Sequence, residues 1–275
     1  TTETMERSPV TFLTSLRRHS VARPALLLLA LLVVGLSYSV VSPQQSSAET
    51  AKTQQIEDGK ALFDFTCASC HGLNAEGTTQ GPTLIGVGAA SVDFQMGTGR
   101  MPAARQEAQL PARKVNYTQE QIESVAAYVA SLGPGPAIPE ESQYSPEGLS
   151  EEEIARGGAL FRANCSACHG IIGGGGAMPH GAFAPSLTET TPVHIYEAMR
   201  SGPQQMPTFS KAVMDDQSAR EIIAYLREAN DQPNHGGLTM GEAGPVSEGF
   251  WAFVIGIGGL AIVATWIAKK GARAR

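Results

Sequence analysis

The sequence predicts an all-α protein: two small helical domains in tandem, a membrane helix after the pair, and another before it. Three observations carry that expectation. The pentapeptide Cys-x-x-Cys-His occurs twice, as Cys67-Ala-Ser-Cys70-His71 and as Cys165-Ser-Ala-Cys168-His169, and together the copies use every cysteine of the 275-residue chain. The stretches around the two copies repeat one another in order, as tandem structural units do. Apolar runs long enough to cross a hydrocarbon core lie near both ends, at 25–41 and 250–268.

The elements follow along the chain. Residues 1–24 read as a cytoplasmic tail, because Arg17, Arg18 and Arg23 precede the first run and basic flanks stay inside. The run at 25–41 is either a transmembrane anchor or a signal sequence cut near Ser46-Ser47-Ala48; its length and long leading segment favour the anchor. Residues 50–133 form the first domain, 134–150 a linker rich in Pro, Gly, Ser and Glu, and 151–230 the second domain. A second linker, 231–248, leads to the membrane helix at 250–268, which opens on the interfacial pair Phe250 and Trp251. Residues 269–275 form a basic cytoplasmic tail carrying Lys269, Lys270, Arg273 and Arg275. Both termini are then cytoplasmic and the domains between them extracytoplasmic. The formal net charge is −6, with acidic domains between basic ends, which argues against nucleic acid as a partner.

Within each domain the same signals recur. Gly59 and Phe63 precede Cys67 as Gly157 and Phe161 precede Cys165. A Pro-x-Leu follows each motif (Pro82-Thr-Leu84, Pro185-Ser-Leu187), then a Met-Pro (Met101-Pro102, Met206-Pro207). Each unit closes with an amphipathic helix, 118–132 and 216–229, opened by Thr118 with Gln121 and by Asp215 or Asp216. Tyr128 and Tyr225 hold matching places in these helices.

Cys-x-x-Cys-His is the attachment pattern of c-type haem: the thiols of Cys67, Cys70, Cys165 and Cys168 add to the vinyl groups, and His71 and His169 bind iron. Two covalently bound haem c groups are expected, the competing reading being two Cys/His zinc clusters. Domains this small bury too little apolar surface without the cofactor. The Gly173–Gly176 run reads as a flexible loop; it lacks the Lys-Ser/Thr of a phosphate loop.

The order and lengths of these motifs resemble class I cytochrome c domains. That resemblance implies an N-terminal helix crossing a C-terminal helix, with Gly59 and Gly157 permitting close approach and the tyrosines packed near the crossing. It also implies that carbonyls at Pro82 and Pro185 orient the two histidines, and that Met101 and Met206 are the distal iron ligands. Met96 competes with Met101; Met178, His180 and Met199 compete with Met206, although Met199 sits in an apparent helix and reads equally as core.

The strings Gly81-Pro-Thr-Leu-Ile-Gly-Val-Gly88, Thr98-Gly-Arg-Met-Pro-Ala103, Ile195-Tyr-Glu-Ala-Met199 and Gly202-Pro-Gln-Gln-Met-Pro207 resemble the dihaem cytochrome c subunit of the actinobacterial cytochrome bcc complex. That family implies membership of a menaquinol-oxidising assembly in the cell membrane. Its partners would be a cytochrome b subunit, a Rieske iron–sulfur subunit that feeds the first haem, and an aa3-type cytochrome c oxidase that receives electrons from the second. No side chain is assigned a bond-breaking role. Two readings compete. A dihaem peroxidase needs an open distal site, against which the two Met-Pro pairs argue. A cbb3-type oxidase or dehydrogenase subunit usually lacks an anchor after its second domain.

Overall fold

The computed structural model describes residues 21–107, 109–231 and 245–273. Most of the expected N-terminal tail with Arg17 and Arg18, residues 232–244 of the second linker expected at 231–248, and Arg275 lie outside the described residues; the end of that linker, from Pro245, is already helical. The chain divides between Glu57 and Asp58 into two compact units.

The first unit is helical from Ala22 onward. Its helix, α1, spans Ala22–Thr66, so it continues past the division without a break. Residues 42–49, between the apolar run and the first domain as the sequence bounds it, are helical too; past Pro43 the chain up to Asp58 is rich in the helix formers Gln, Ala, Glu and Lys, and no glycine interrupts it before Gly59. Ala22–Ser39 has mean hydropathy 1.7, and none of it is covered by other parts of the chain. A helix apolar on every side and uncovered suits a bilayer rather than a core.

The second unit holds both expected domains. The first has the end of α1, a single turn α2 (Ala68–His71), α3 (Ala89–Gly97) and α4 (Gln119–Ser131). The second has a short α5 (Glu141–Tyr144), α6 (Glu151–Asn164), the turn α7 (Ser166–His169), α8 (Pro192–Ser201) and α9 (Asp216–Asp231). A two-residue hairpin, β1 (Gly176–Ala177) with β2 (Phe183–Ala184), pairs antiparallel with Gly176 opposite Ala184. The fold is all-α with this minor exception. Helix α10 (Pro245–Arg273) follows, and within it Gly249–Gly271 has mean hydropathy 2.1 and is likewise uncovered.

Local chemistry sets the helix ends. Thr118 accepts from the Gln121 backbone N–H while the Gln121 side chain returns to the Thr118 N–H, a complete capping box. Ser150 and Glu153 form the same box on α6, which the sequence reading had left at the end of a linker. Asp215 accepts from Ser218 N–H at 2.8 Å and opens α9.

The helix crossings are equivalent in the two domains. A Cβ on Gly59 would lie 1.9 Å from the Ser124 carbonyl oxygen of α4, and one on Gly157 would lie 2.0 Å from that of Glu221 on α9. Only glycine permits backbones this close. Phe63 meets Tyr128 at 5.2 Å between ring centroids and Phe161 meets Tyr225 at 5.7 Å. Both phenylalanines are wholly buried.

Candidate functional site

Each motif is folded into one tight helical turn that presents its histidine beside the following loop. The turn ends at Gly72 (φ +83°) in the first domain and Gly170 (φ +75°) in the second. His71 is buried, and its Nδ1 lies 2.7 Å from the Pro82 carbonyl oxygen. His169 Nδ1 lies 3.0 Å from the Pro185 carbonyl oxygen. A carbonyl can only accept, so Nδ1 carries the proton and Nε2 keeps its lone pair for a metal. Burial holds His169 below its ordinary pKa, only partly opposed by the Pro185 carbonyl, which keeps it in the neutral form a ligand needs.

All four thiols are free rather than paired in disulfides. Cys70 and Cys168 are exposed, Cys67 and Cys165 half-buried. Burial raises the Cys67 thiol and pushes that of Cys165 up to about 11. A structural Cys/His zinc cluster needs its cysteines as thiolates and four protein ligands gathered in one place. Among the described residues, neither motif gathers a group of three or more Cys, His, Asp or Glu donor atoms. The donor set therefore suits haem attachment: two unpaired thiols per motif, and one imidazole with its outer nitrogen free.

The connecting loops converge by different routes. In the first domain Gly77 N–H donates to the His71 carbonyl at 2.7 Å and Leu84 N–H to Ala75 at 2.8 Å. In the second, Gly175 N–H donates to His169 at 2.8 Å and Leu187 N–H to Gly173 at 2.7 Å. The glycine run 173–176, expected to be flexible, is thus held by backbone bonds. Its glycines supply the positive φ at Gly173 (+82°) and Gly175 (+85°) that the turn requires.

The expected distal ligands sit on the stretches between these loops and the last helices. Met206 is half-buried and packs on the second domain's core with Cys165 and Leu187. Met101 is half-buried just after α3, its N–H donating to the Gln95 carbonyl at 2.9 Å. Met96 and Met199 are buried inside α3 and α8, where they fill the cores. Met178 is half-buried and His180 exposed on the hairpin. The structure joins each histidine to its proline carbonyl. It makes no such bond between Met101 and His71 or between Met206 and His169.

The two domains touch through these same stretches. Gln204 Nε2 donates to the Leu110 carbonyl at 3.1 Å. Gln109 accepts from Phe183 N–H at 2.9 Å and donates back to the Phe183 carbonyl. Sequence reasoning missed a polar cluster at the same contact, formed by Asp93, His194 and Glu197. Burial, reinforced by the neighbouring Asp93, pushes Glu197 up to about 9. Burial also acts to raise Asp93, but His194, Gln119 and Glu197 outweigh it and hold Asp93 below the usual range. The i,i+3 spacing of His194 and Glu197 puts those two on one helix face, but nothing in the sequence marks Asp93 as their partner.

Comparison with known proteins places both domains. The family model described as cytochrome c matches residues 56–133, and that described as cytochrome c oxidase, cbb3-type, subunit III matches residues 152–226. The cytochrome bc1 complex cytochrome c subunit of Mycobacterium bovis is 39% identical over 258 residues, covering 92% of this chain and 92% of its own. The subunit of the same name from Corynebacterium diphtheriae is 37% identical over 267 residues, covering 92% and 95%. A cbb3-type cytochrome c oxidase subunit CcoP of Azospirillum is 26% identical and covers 61% of this chain. With cytochrome c domains and relatives 37–39% identical matched over nearly their full length, this chain belongs to the family of cytochrome bc1 complex cytochrome c subunits.

Proposed function

We propose that the chain is the membrane-anchored dihaem relay of a menaquinol-oxidising bcc/bc1-type complex. The observation that carries this is the doubling of one site inside one compact unit: two His–Pro pairs of matching geometry, on domains whose ligand-bearing stretches touch. Cys67, Cys70 and His71 hold the first haem and Cys165, Cys168 and His169 the second. Met101 and Met206 would each supply a further ligand to an iron. A haem c so held supplies one-electron transfer, its potential raised by methionine. The protein's part is to orient the histidines through Pro82 and Pro185 and to hold the two sites in one body.

In this reading a Rieske iron–sulfur subunit, docked with cytochrome b, delivers electrons to the first domain. An aa3-type oxidase takes them from the second. Fusing the domains removes the need for a mobile carrier. Both termini lie in the cytoplasm and the haem domains outside. A second reading, a subunit of a cbb3-type oxidase, draws support from the match at residues 152–226.

A tagged copy purified in mild detergent separates the two. Recovery of cytochrome b and the iron–sulfur subunit supports the bcc assignment; recovery of a cbb3 catalytic subunit instead overturns it. Met206→Ala tests the ligand set. The second haem should become able to bind carbon monoxide while the first stays closed, and an unchanged spectrum would assign the distal position to another residue.

A further inference from the structure

Helix α3 of the first domain packs against α8 of the second. Three ligand-type side chains meet there: Asp93 from α3, and His194 and Glu197 from one face of α8. One donor atom of each lies within 4.8 Å of the others. Asp93 is 4% exposed and Glu197 0%. His194 Nε2 lies 3.7 Å from Asp93 Oδ2.

Glu197 is the telling residue. It is completely buried, and no donor among the described residues reaches either of its carboxylate oxygens; its polar neighbour is the Asp93 carboxyl, which it can bond only while it is protonated. Burying a carboxyl group unpaired is strongly unfavourable, and native structures rarely keep one without a reason. Its neighbours are held in place around it. Asp93 Oδ1 accepts from Gln119 Nε2 at 3.1 Å, which leaves Oδ2 facing His194. The His194 ring stands edge-on to Phe94, with centroids 6.1 Å apart. It occupies space that exists because residue 97 is glycine: a Cβ there would lie 2.7 Å from Nε2.

We propose that Asp93, His194 and Glu197 bind one divalent transition-metal ion of the zinc class, which clamps the two haem domains together. One imidazole and two carboxylates make an N/O donor set that suits zinc-like ions, whereas magnesium and calcium prefer oxygen alone. With both acids ionised the donors carry a charge that one divalent ion balances. Zinc–ligand bonds of about 2.0–2.2 Å place tetrahedral donors about 3.4 Å apart. The observed spacing closes to that by small side-chain movements, leaving the fourth position to water. The metal gives one Glu197 oxygen a partner that the chain itself does not provide, and the metal-bound water is the natural donor to the other. The site is independent of haem binding and of the quinol reading.

The test uses the full chain in detergent with its haems attached, stripped of loose metal by a chelator and dialysed against micromolar zinc. Elemental analysis counts zinc against haem iron. The expected result is one zinc per chain, with a zinc-edge X-ray absorption spectrum showing N/O neighbours and no sulfur, and an unfolding temperature that rises with zinc. Glu197→Gln and Asp93→Asn should each weaken binding by about tenfold or more, in line with losing a ligand or its support. The exposed Glu123→Gln should not weaken it. Haem content and the Soret spectrum show whether each variant has folded. Wild-type protein that takes up no zinc overturns the proposal and leaves Asp93 and Glu197 sharing a proton instead. A sulfur shell, or binding undiminished in folded Glu197→Gln and His194→Gln, overturns it as well.

Discussion

Eleven positions separate His71 from the carbonyl that orients it, and sixteen separate His169 from its own. Yet the two domains reproduce the same backbone bonds on either side of the difference: Gly77 and Gly175 to the histidine carbonyl, Leu84 and Leu187 to the loop's start. The extra length in the second domain is pushed outward as the β1–β2 hairpin, whose Phe183 then pairs with Gln109 of the first domain. Orientation of the histidine is therefore the constraint. Loop length is free to vary, because closing a somewhat longer loop adds little entropy cost, and the surplus has become an interdomain contact.

The domains also differ in how polar groups secure them. In the second, Asp216 accepts from Arg200 at 2.9 Å, Lys211 at 2.8 Å and Tyr196 at 2.5 Å, and Glu221 takes a two-pronged bond from Arg156. Around the first domain's crossing, the pair Lys60–Asp64 is exposed and contributes little. The shared glycine–aromatic crossing carries the first domain, while the second adds a charged lattice over it.

The largest expected effect tests what the domains share. Gly59→Ala and Gly157→Ala each drive a methyl group into a backbone carbonyl. Each should destabilise its own domain by about 3 kcal/mol or more, overpacking against backbone being the costly kind. Denaturant unfolding of the haem-loaded protein, followed at each Soret component, measures this. Markedly unequal costs would break the equivalence of the two crossings.

A smaller effect tests what they do not share. Burial acts to raise the Asp216 carboxyl, but hydrogen bonds from Lys211, Tyr196 and Gln143 outweigh it and hold the group well below the usual range. A carboxyl depressed in the folded state stabilises above its unfolded pKa, and that stability is lost as pH falls toward the folded value. The second domain should thus weaken on acidification below about pH 4. Asp216→Asn should remove about 1 kcal/mol at neutral pH, the partial exposure of the group limiting the loss, and should flatten the acid limb. Thermal unfolding across pH checks both, and an equally steep acid limb in Asp216→Asn would assign the effect elsewhere.

The smallest effect concerns the hairpin. Replacing residues 177–183 with a two-residue Asn-Gly turn, which closes the loop at the first domain's length, should leave the second haem attached and low-spin. The loss of the Phe183–Gln109 pair should appear as faster proteolysis between the domains. Loss of the second haem would show that the hairpin shapes the pocket itself.

The motif pairs, the crossing glycines with their Phe–Tyr partners, and the Thr118 box were all legible because each rests on short-range chemistry at fixed spacing. The Ser150 box was hidden by its position at the end of a polar linker, where a capping serine resembles any other linker serine. The glycine run 173–176 was legible only as a loop: its positive φ values and the backbone bonds that join it to His169 and Leu187 belong to the fold.

By itself the sequence determined the doubled Cys-x-x-Cys-His motif and the tandem architecture, since thiol spacing, histidine adjacency and apolar length act within a few residues or along one helix. Only the tertiary structure decided how α3 meets α8, and with it the enclosure of Asp93, His194 and Glu197. Those side chains come from separate domains, and a contact between distant helices is set by packing that no local spacing encodes.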